Sequence, residues 1–93
     1  MSEIQKTINR WQNETFTHQQ TVHGLLNHLS KEMIELLDQP SAEEAADCAI
    51  LLFGLAGRMG FDLLDEVAKK MAINKVRSWG KPDKDGVIEH TKE

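Results

Sequence analysis

The stretch Ala45-Ala46-Asp47-Cys48-Ala49-Ile50-Leu51-Leu52-Phe53-Gly54-Leu55-Ala56 carries a single polar side chain, Asp47. A run this apolar on every face predicts a helix covered on all sides. An ionised carboxylate left unpaired in such surroundings costs several kcal/mol. The stretch holds no Lys or Arg, which removes the ordinary salt bridge, so Asp47 needs a cation from elsewhere. Glu44 stands three residues before Asp47, and Glu32-x-x-Glu35 repeats that spacing on the preceding segment. Residues three apart on a helix share a side. Two facing helices would therefore bring the four carboxylates Glu32, Glu35, Glu44 and Asp47 to one point. Hard cations such as Mg²⁺ and Mn²⁺ take oxygen ligands, and two divalent ions would balance the ligand charge. Such a centre suits chemistry on polyphosphates, where metal ions bridge phosphate oxygens and activate a water. With 15 acids in the chain, E-x-x-E also arises by chance, and Glu32 and Glu35 alone would read as a solvated face. Asp47 among apolar neighbours is what favours the metal.

The helices around this segment follow from periodicity, and the pattern is all-α. Ile4, Ile8 and Trp11 mark a short amphipathic first helix, with Asn13 to Thr17 as connector and Thr17 as the next N-cap. A long second helix from about His18 to Asp38 carries the stripe Val22, Leu25, Leu26, Leu29, Met33, Leu36, Leu37. Gln39-Pro40 ends it. Ser41-Ala42-Glu43-Glu44 has the form of a capping box, which sets Glu44 in competition between the cap and a cation. The third helix runs to about Met59, with Gly60 as its C′ residue. Asp62 caps a fourth helix reaching about Ser78. Its stripe Leu63, Val67, Lys70, Asn74, Arg77 starts apolar and turns polar, as if leaving the core for a site. Lys70 and Arg77 would there neutralise phosphate charge, with Asn74 between them. The tail from Gly80 is charged and turn-forming, with Val87 to His90 a possible extended piece.

Ninety-three residues read as one domain, 1–93, with an irregular tail over 80–93. So short a chain covers its surface poorly. The apolar third helix is thus expected near the interface of a homo-oligomer, a compact monomer being the alternative. The net charge of −4 and pI near 5.5 argue against a nucleic-acid partner, and four acids at one site account for the deficit. No apolar N-terminal run reads as a signal peptide and no stretch is long enough for a membrane span, so the expected location is the cytoplasm. Cys48 is the one cysteine, and it reads as a small packed hydrophobe. The four methionines read as core filler. His28, one turn before Glu32, is either structural or a further ligand or proton carrier. Trp11 and Trp79 could stack on a base, though aromatic residues at helix ends usually pack.

Glu32/Glu35, Glu44/Asp47 and Lys70/Asn74/Arg77 together resemble the MazG-like all-α nucleoside triphosphate pyrophosphohydrolases. His28-Leu29-x-Lys31-Glu32-x-x-Glu35-Leu36, Glu44-Ala45-Ala46-Asp47-Cys48 and the tail from Trp79 through Pro82-Asp83-x-Asp85-Gly86-Val87-Ile88-Glu89-His90 are similar to the dATP/dGTP pyrophosphohydrolase branch, which includes phage enzymes. The resemblance spans roughly Leu25 to His90. It implies a four-helix subunit that forms homodimers or tetramers. It implies cleavage of a (d)NTP, with purine dNTPs favoured, to the monophosphate and pyrophosphate using Mg²⁺ or Mn²⁺. Glu32, Glu35, Glu44 and Asp47 would be the metal ligands, Glu35 would orient the water, and Lys70 and Arg77 would contact phosphates. Asn74 would position a neighbour or a substrate oxygen, and Trp11 or Phe16 would flank the base. The gap between the two acidic pairs is shorter than in many relatives. The rival readings are a non-catalytic helical dimerisation module and hydrolysis of phosphoribosyl-ATP, which related all-α enzymes perform.

Overall fold

Each of the four helices among the described residues starts on a short polar side chain that accepts from the backbone N–H three residues on. Ser2 Oγ accepts from Gln5 at 3.3 Å, Thr21 Oγ1 from Gly24 at 2.9 Å, Ser41 Oγ from Glu44 at 3.1 Å and Asp62 Oδ1 from Asp65 at 3.1 Å. These caps open α1 (Glu3–Thr15), α2 (Val22–Asp38), α3 (Ala42–Met59) and α4 (Leu63–Asn74). The computed structural model describes residues 1–16 and 20–91. The expected cap Thr17 and the expected start of the second helix at His18 lie outside them; α2 begins at Val22 on its Thr21 cap.

The brief Gln39-Pro40-Ser41 connector folds α3 back against α2 as an αα-hairpin. α3 is the central element, packed on α2 and α1, and α4 rests mainly on α3. The core is small: Ile8 of α1, Leu25 of α2, and Cys48, Leu51 and Ala56 of α3. The other side of α3 is open. Ala45, Ala46, Asp47, Ala49, Ile50 and Leu52 are exposed. The expected all-round burial of this helix, and the compact monomer that would supply it, are therefore corrected for the single chain. The reason is α4, which buries none of its own residues and does not wrap the open side.

The radius of gyration, 15.7 Å, exceeds the roughly 12 Å of a globule of this length. Along α2, Leu25 is buried, Leu29 and Leu36 are half-buried, and Val22, Leu26, Met33 and Leu37 are exposed. Leu64, Val67, Met71 and Ile73 of α4 are exposed too, as are all four methionines, which are not core filler in the single chain.

The buried face of α1 is Gln5, Ile8 and Gln12 rather than Ile4, Ile8 and Trp11, and the helix runs on through the expected connector to Thr15. α1 can bury amides because α3 offers polar backbone and no side chain where they land. Gln5 Nε2 donates to Phe61 O at 2.8 Å while its Oε1 accepts from Leu63 N–H at 3.0 Å, which ties the α3–α4 turn to α1. Asn9 Nδ2 donates to Phe53 O at 3.1 Å. Gln12 lies across Gly54, where a Cβ would come within 2.6 Å of both amide atoms.

α4 stops at Asn74, short of the expected Ser78. Beyond it Val76 and Arg77 donate to Ile73 O and Asn74 O in tight turns, and the Trp79 indole N–H donates to Asn74 O at 3.1 Å, closing the helix end. Arg77 thus leaves the line that Lys70 and Asn74 share. The tail has no strand among the described residues, but an isolated Trp79–His90 bridge ties it back. Asp83 Oδ1 accepts from Asp85 and Val87 N–H at its turn. Among the described residues no helix is long and apolar enough to cross a membrane.

Gln5→Met keeps the side chain's length but leaves the part-buried Phe61 O and Leu63 N–H without their side-chain partner. Urea denaturation should show a loss of about 2–4 kcal/mol with an unchanged m-value. A loss below about 1 kcal/mol would show that the tie to the α3–α4 turn is not structural.

Candidate metal and substrate site

The hairpin sets the last two turns of α2 beside the first turn of α3, and the acids sit there. Glu32, Glu35 and Glu44 each place a carboxylate oxygen within 4.8 Å of the others'. The competition at Glu44 resolves cleanly. Its backbone N–H donates to Ser41 Oγ, and its carboxylate turns to the cluster instead of closing the capping box. Glu32 Oε2 and Glu44 Oε2 are shut off from solvent with no donor among the described residues. Glu32 Oε1 lies 3.2 Å from His28 Nε2.

Crowding shows in the titration of the group in the middle. Hydrogen bonding to Glu32, then the charges of Glu32 and Glu44, hold the Glu35 carboxyl above the ordinary glutamate range. Beneath the cluster the Cys48 thiol is pushed up, first by burial and then by the charges of Glu32, Glu44, Asp47 and Glu35. All four acids named from the sequence therefore act on one buried residue. Cys48 packs as the small hydrophobe expected. Asp47 is exposed, not buried, and stands outside the tight trio. The buried, unpaired acid oxygens belong to Glu32 and Glu44. Acceptors without donors, at like-charged groups a few ångströms apart, are the oxygen set a divalent cation takes.

Beside the acids a cleft of about 240 Å³ opens between α1, α2 and α3. Trp11 and Phe16 line one part of it, edge to face with ring centroids 5.6 Å apart. Ile50 and Leu51 supply apolar surface, and His28, Glu32 and Asp47 face the same space. Trp11, Phe16 and two of the acids thus come together as the sequence suggested. The α4 residues do not join them within one chain. Lys70 is exposed, Asn74 and Arg77 are half-buried, and among the described residues neither Lys70 nor Arg77 pairs with an acid. Gln12 and Gln20 also line the cleft and escaped the sequence reading. For Gln12 a signal existed: with Gln5 and Ile8 it falls on one helical face, amides where a core stripe is due.

Residues 4–93 match the model of the dATP/dGTP pyrophosphohydrolase family. The chain belongs to that family. It is 40% identical over 93 residues to a dATP/dGTP diphosphohydrolase of Salmonella phage PMBT28, a match covering 97% of this chain and 31% of that protein. It is 36% identical over 70 residues to a dATP/dGTP diphosphohydrolase of cyanophage S-2L, covering 72% of this chain and 66% of that one. The chain thus spans about a third and about two thirds of the lengths of these two relatives. Its fold superposes with a TM-score of 0.81 and 30% identity on the cyanophage S-2L MazG-like pyrophosphohydrolase bound to dGDP and three catalytic Mn²⁺ ions per active site. That match covers 98% of this chain and 92% of the solved one.

The crowding has a sign that can be measured. A carboxyl whose folded pKa is raised binds its proton more tightly in the folded state, so it adds stability as pH falls through the raised value toward the ordinary 4.5. Asp62 acts oppositely: the Asp65 N–H above all holds its pKa below the ordinary 3.8, and its contribution is lost only as pH falls below that. In chelator, the melting temperature should rise as pH drops from neutrality toward the ordinary glutamate range, then fall in stronger acid. Glu35→Gln should flatten the rise. A wild type whose melting temperature declines throughout that window would contradict the crowded cluster.

Proposed function

We propose that this chain is a metal-dependent nucleoside triphosphate pyrophosphohydrolase acting on purine dNTPs, dATP and dGTP, to give the monophosphate and pyrophosphate. The observation that carries this is the pair of donor-less carboxylate oxygens on Glu32 and Glu44 next to an aromatic-walled cleft. The likeness to a protein holding a deoxynucleotide and Mn²⁺ supports it. Glu32, Glu35, Glu44 and Asp47 hold Mg²⁺ or Mn²⁺, two or more per site. When bound, the ions neutralise phosphate charge and make water nucleophilic near neutral pH.

The chain's own residues do the rest. Glu35, the exposed member of the trio, orients the attacking water and takes its proton. Trp11 and Phe16 pack against the base, while Ile50 and Leu51 keep that end of the cleft apolar. The water attacks phosphorus at the α–β bridge and pyrophosphate leaves. Lys70 and Arg77 stabilise charge on the departing side and Asn74 positions an oxygen. Because α4 stands away from the cluster in a single chain, these groups act in a homo-oligomer, dimer or tetramer. The apolar sides of α2 and α4 supply its interface. The chain works as one domain on the nucleotide pool of a bacterial or phage-infected cytoplasm.

With Mg²⁺ or Mn²⁺, a panel of dNTPs, NTPs and phosphoribosyl-ATP should yield pyrophosphate, fastest from dATP and dGTP. Orthophosphate as product would exclude this reaction. Glu44→Gln should cut kcat/KM by at least about a hundredfold while leaving the chelator-treated protein as stable or more stable. Mn²⁺ should raise the melting temperature of the wild type and much less that of the variant. Equal shifts would remove Glu44 from the metal site.

A further inference from the structure

Two glutamines occupy the buried face of α1, and they differ in one respect. Gln5 has both amide atoms bound to backbone. Gln12, two turns on, is 8% exposed, yet its amide makes no hydrogen bond among the described residues. Gln12 lines the cleft beside the acids. A buried amide left free to bind is unusual, because polar groups at such depth are normally satisfied. It stands next to Trp11 and on the same cleft as Phe16, where the base is proposed to lie.

The seat of this amide is symmetric. Nε2 and Oε1 are each 2.6 Å from the point where a Cβ on residue 54 would sit, so the group lies flat over Gly54 with both ends equally close. Oxygen and nitrogen of a carboxamide have nearly the same size. Turning the amide end for end therefore costs no packing here.

Resting on the proposed dNTP pyrophosphohydrolase reading, we infer that Gln12 is the specificity-determining residue that lets one cleft accept both dATP and dGTP, by flipping its amide between the two bases. Adenine presents a donor at N6 and an acceptor at N1. Guanine presents an acceptor at O6 and a donor at N1. With adenine, the N6 amino group donates to Oε1 and Nε2 donates to N1. With guanine, the amide is reversed: Nε2 donates to O6 and N1–H donates to Oε1. A carboxamide carries one donor edge and one acceptor edge, which is what this exchange needs. Gly54 supplies the flat seat on which both orientations fit. Purine size is set by the cleft and its aromatic wall, not by Gln12.

The test compares kcat/KM for dATP, dGTP and dITP by pyrophosphate release at mildly alkaline pH. dITP shares the O6 and N1–H edge of dGTP and lacks the 2-amino group, so wild type should treat dITP and dGTP alike. Gln12→Glu leaves only acceptors, so each purine keeps one hydrogen bond and meets one repulsion: N6 donates but N1 faces a lone pair with adenine, and N1–H donates but O6 faces one with guanine. Both kcat/KM values should fall about tenfold or more, with the dGTP to dATP ratio within about twofold of wild type. The two substrates share a triphosphate, so any effect of the new charge on metal or phosphate binding cancels from the ratio. Gln12→Met should also lower both by comparable factors of about ten, with the Mn²⁺-induced melting shift retained. The inference is overturned if the wild type releases pyrophosphate from both purines but discards dITP, or if both rates stay within twofold of wild type in Gln12→Met. The dITP comparison needs no variant and stands even where Gln12→Glu does not fold. A wild type that releases no pyrophosphate from any dNTP overturns the reaction itself, and that outcome is distinct from rates left unchanged by Gln12→Met.

Discussion

Like charges forced together at the α2–α3 seam organise everything else in this chain. Glu32, Glu35 and Glu44 converge within 4.8 Å, and the hairpin that brings them there also places Glu35 at the C-terminal end of α2. A carboxylate is disfavoured at that end of a helix, and no basic residue stands in the last turn to offset it. Glu44 has the better place, in the first turn of α3, where the helix dipole favours an anion. Cys48 and Leu51 are buried close by and exclude water, so the repulsion is less screened than on an open surface. The seam gains stability from apolar packing and gives part of it back in acid–acid repulsion. A divalent cation reverses the sign of that term, which ties folding at this seam to occupancy of the site.

A second shortage has the same cause, the size of the chain. Two helices turn apolar residues outward: Met33, Ile34 and Leu37 on α2, and Leu64, Val67 and Met71 on α4. The open side of α3 adds Ile50 and Leu52. Exposed apolar area on this scale in a small chain marks a surface meant to be covered. Lys70 and Arg77 are idle in the isolated subunit for a parallel reason, since α4 stands off from α2. The proposed oligomer answers both shortages at once: apolar sides would be covered and cations brought to phosphate, so that assembly and catalysis share one interface.

Much of this was legible in the residues. The four helices, the Ser41 and Asp62 caps, the Gly60 terminus and the four acids follow from period and spacing, which are local properties. What failed was burial, which is not local. Asp47 sits amid apolar neighbours in the chain, yet those neighbours face different partners around the helix, and one side has none within the subunit. Asp47 stands exposed outside the tight trio of Glu32, Glu35 and Glu44, and the buried unpaired oxygens are those of Glu32 and Glu44. The end of α4 was misplaced because the stripe through Arg77 keeps helical period. Tight turns at Val76 and Arg77 and the Trp79 indole stop the helix sooner. On α1 the apolar stripe misled outright: Ile4 and Trp11 are about half exposed while Gln5 and Gln12 are buried.

That inversion on α1 shows how one side-chain type can serve two ends. A glutamine beneath a helix is tolerated only where something meets its amide or where it opens to a ligand. At Gln5 the partners are the backbone groups of Phe61 and Leu63, and the result is a fixed joint between α1 and the α3–α4 turn. At Gln12 the neighbour is Gly54, which offers space and no hydrogen bond, so the amide keeps its capacity for a ligand. The fixed glutamine steadies the helix that presents the free one. On the proposed reading, stability and base contact fall to different residues of the same face, Gln5 at the joint and Gln12 at the cleft.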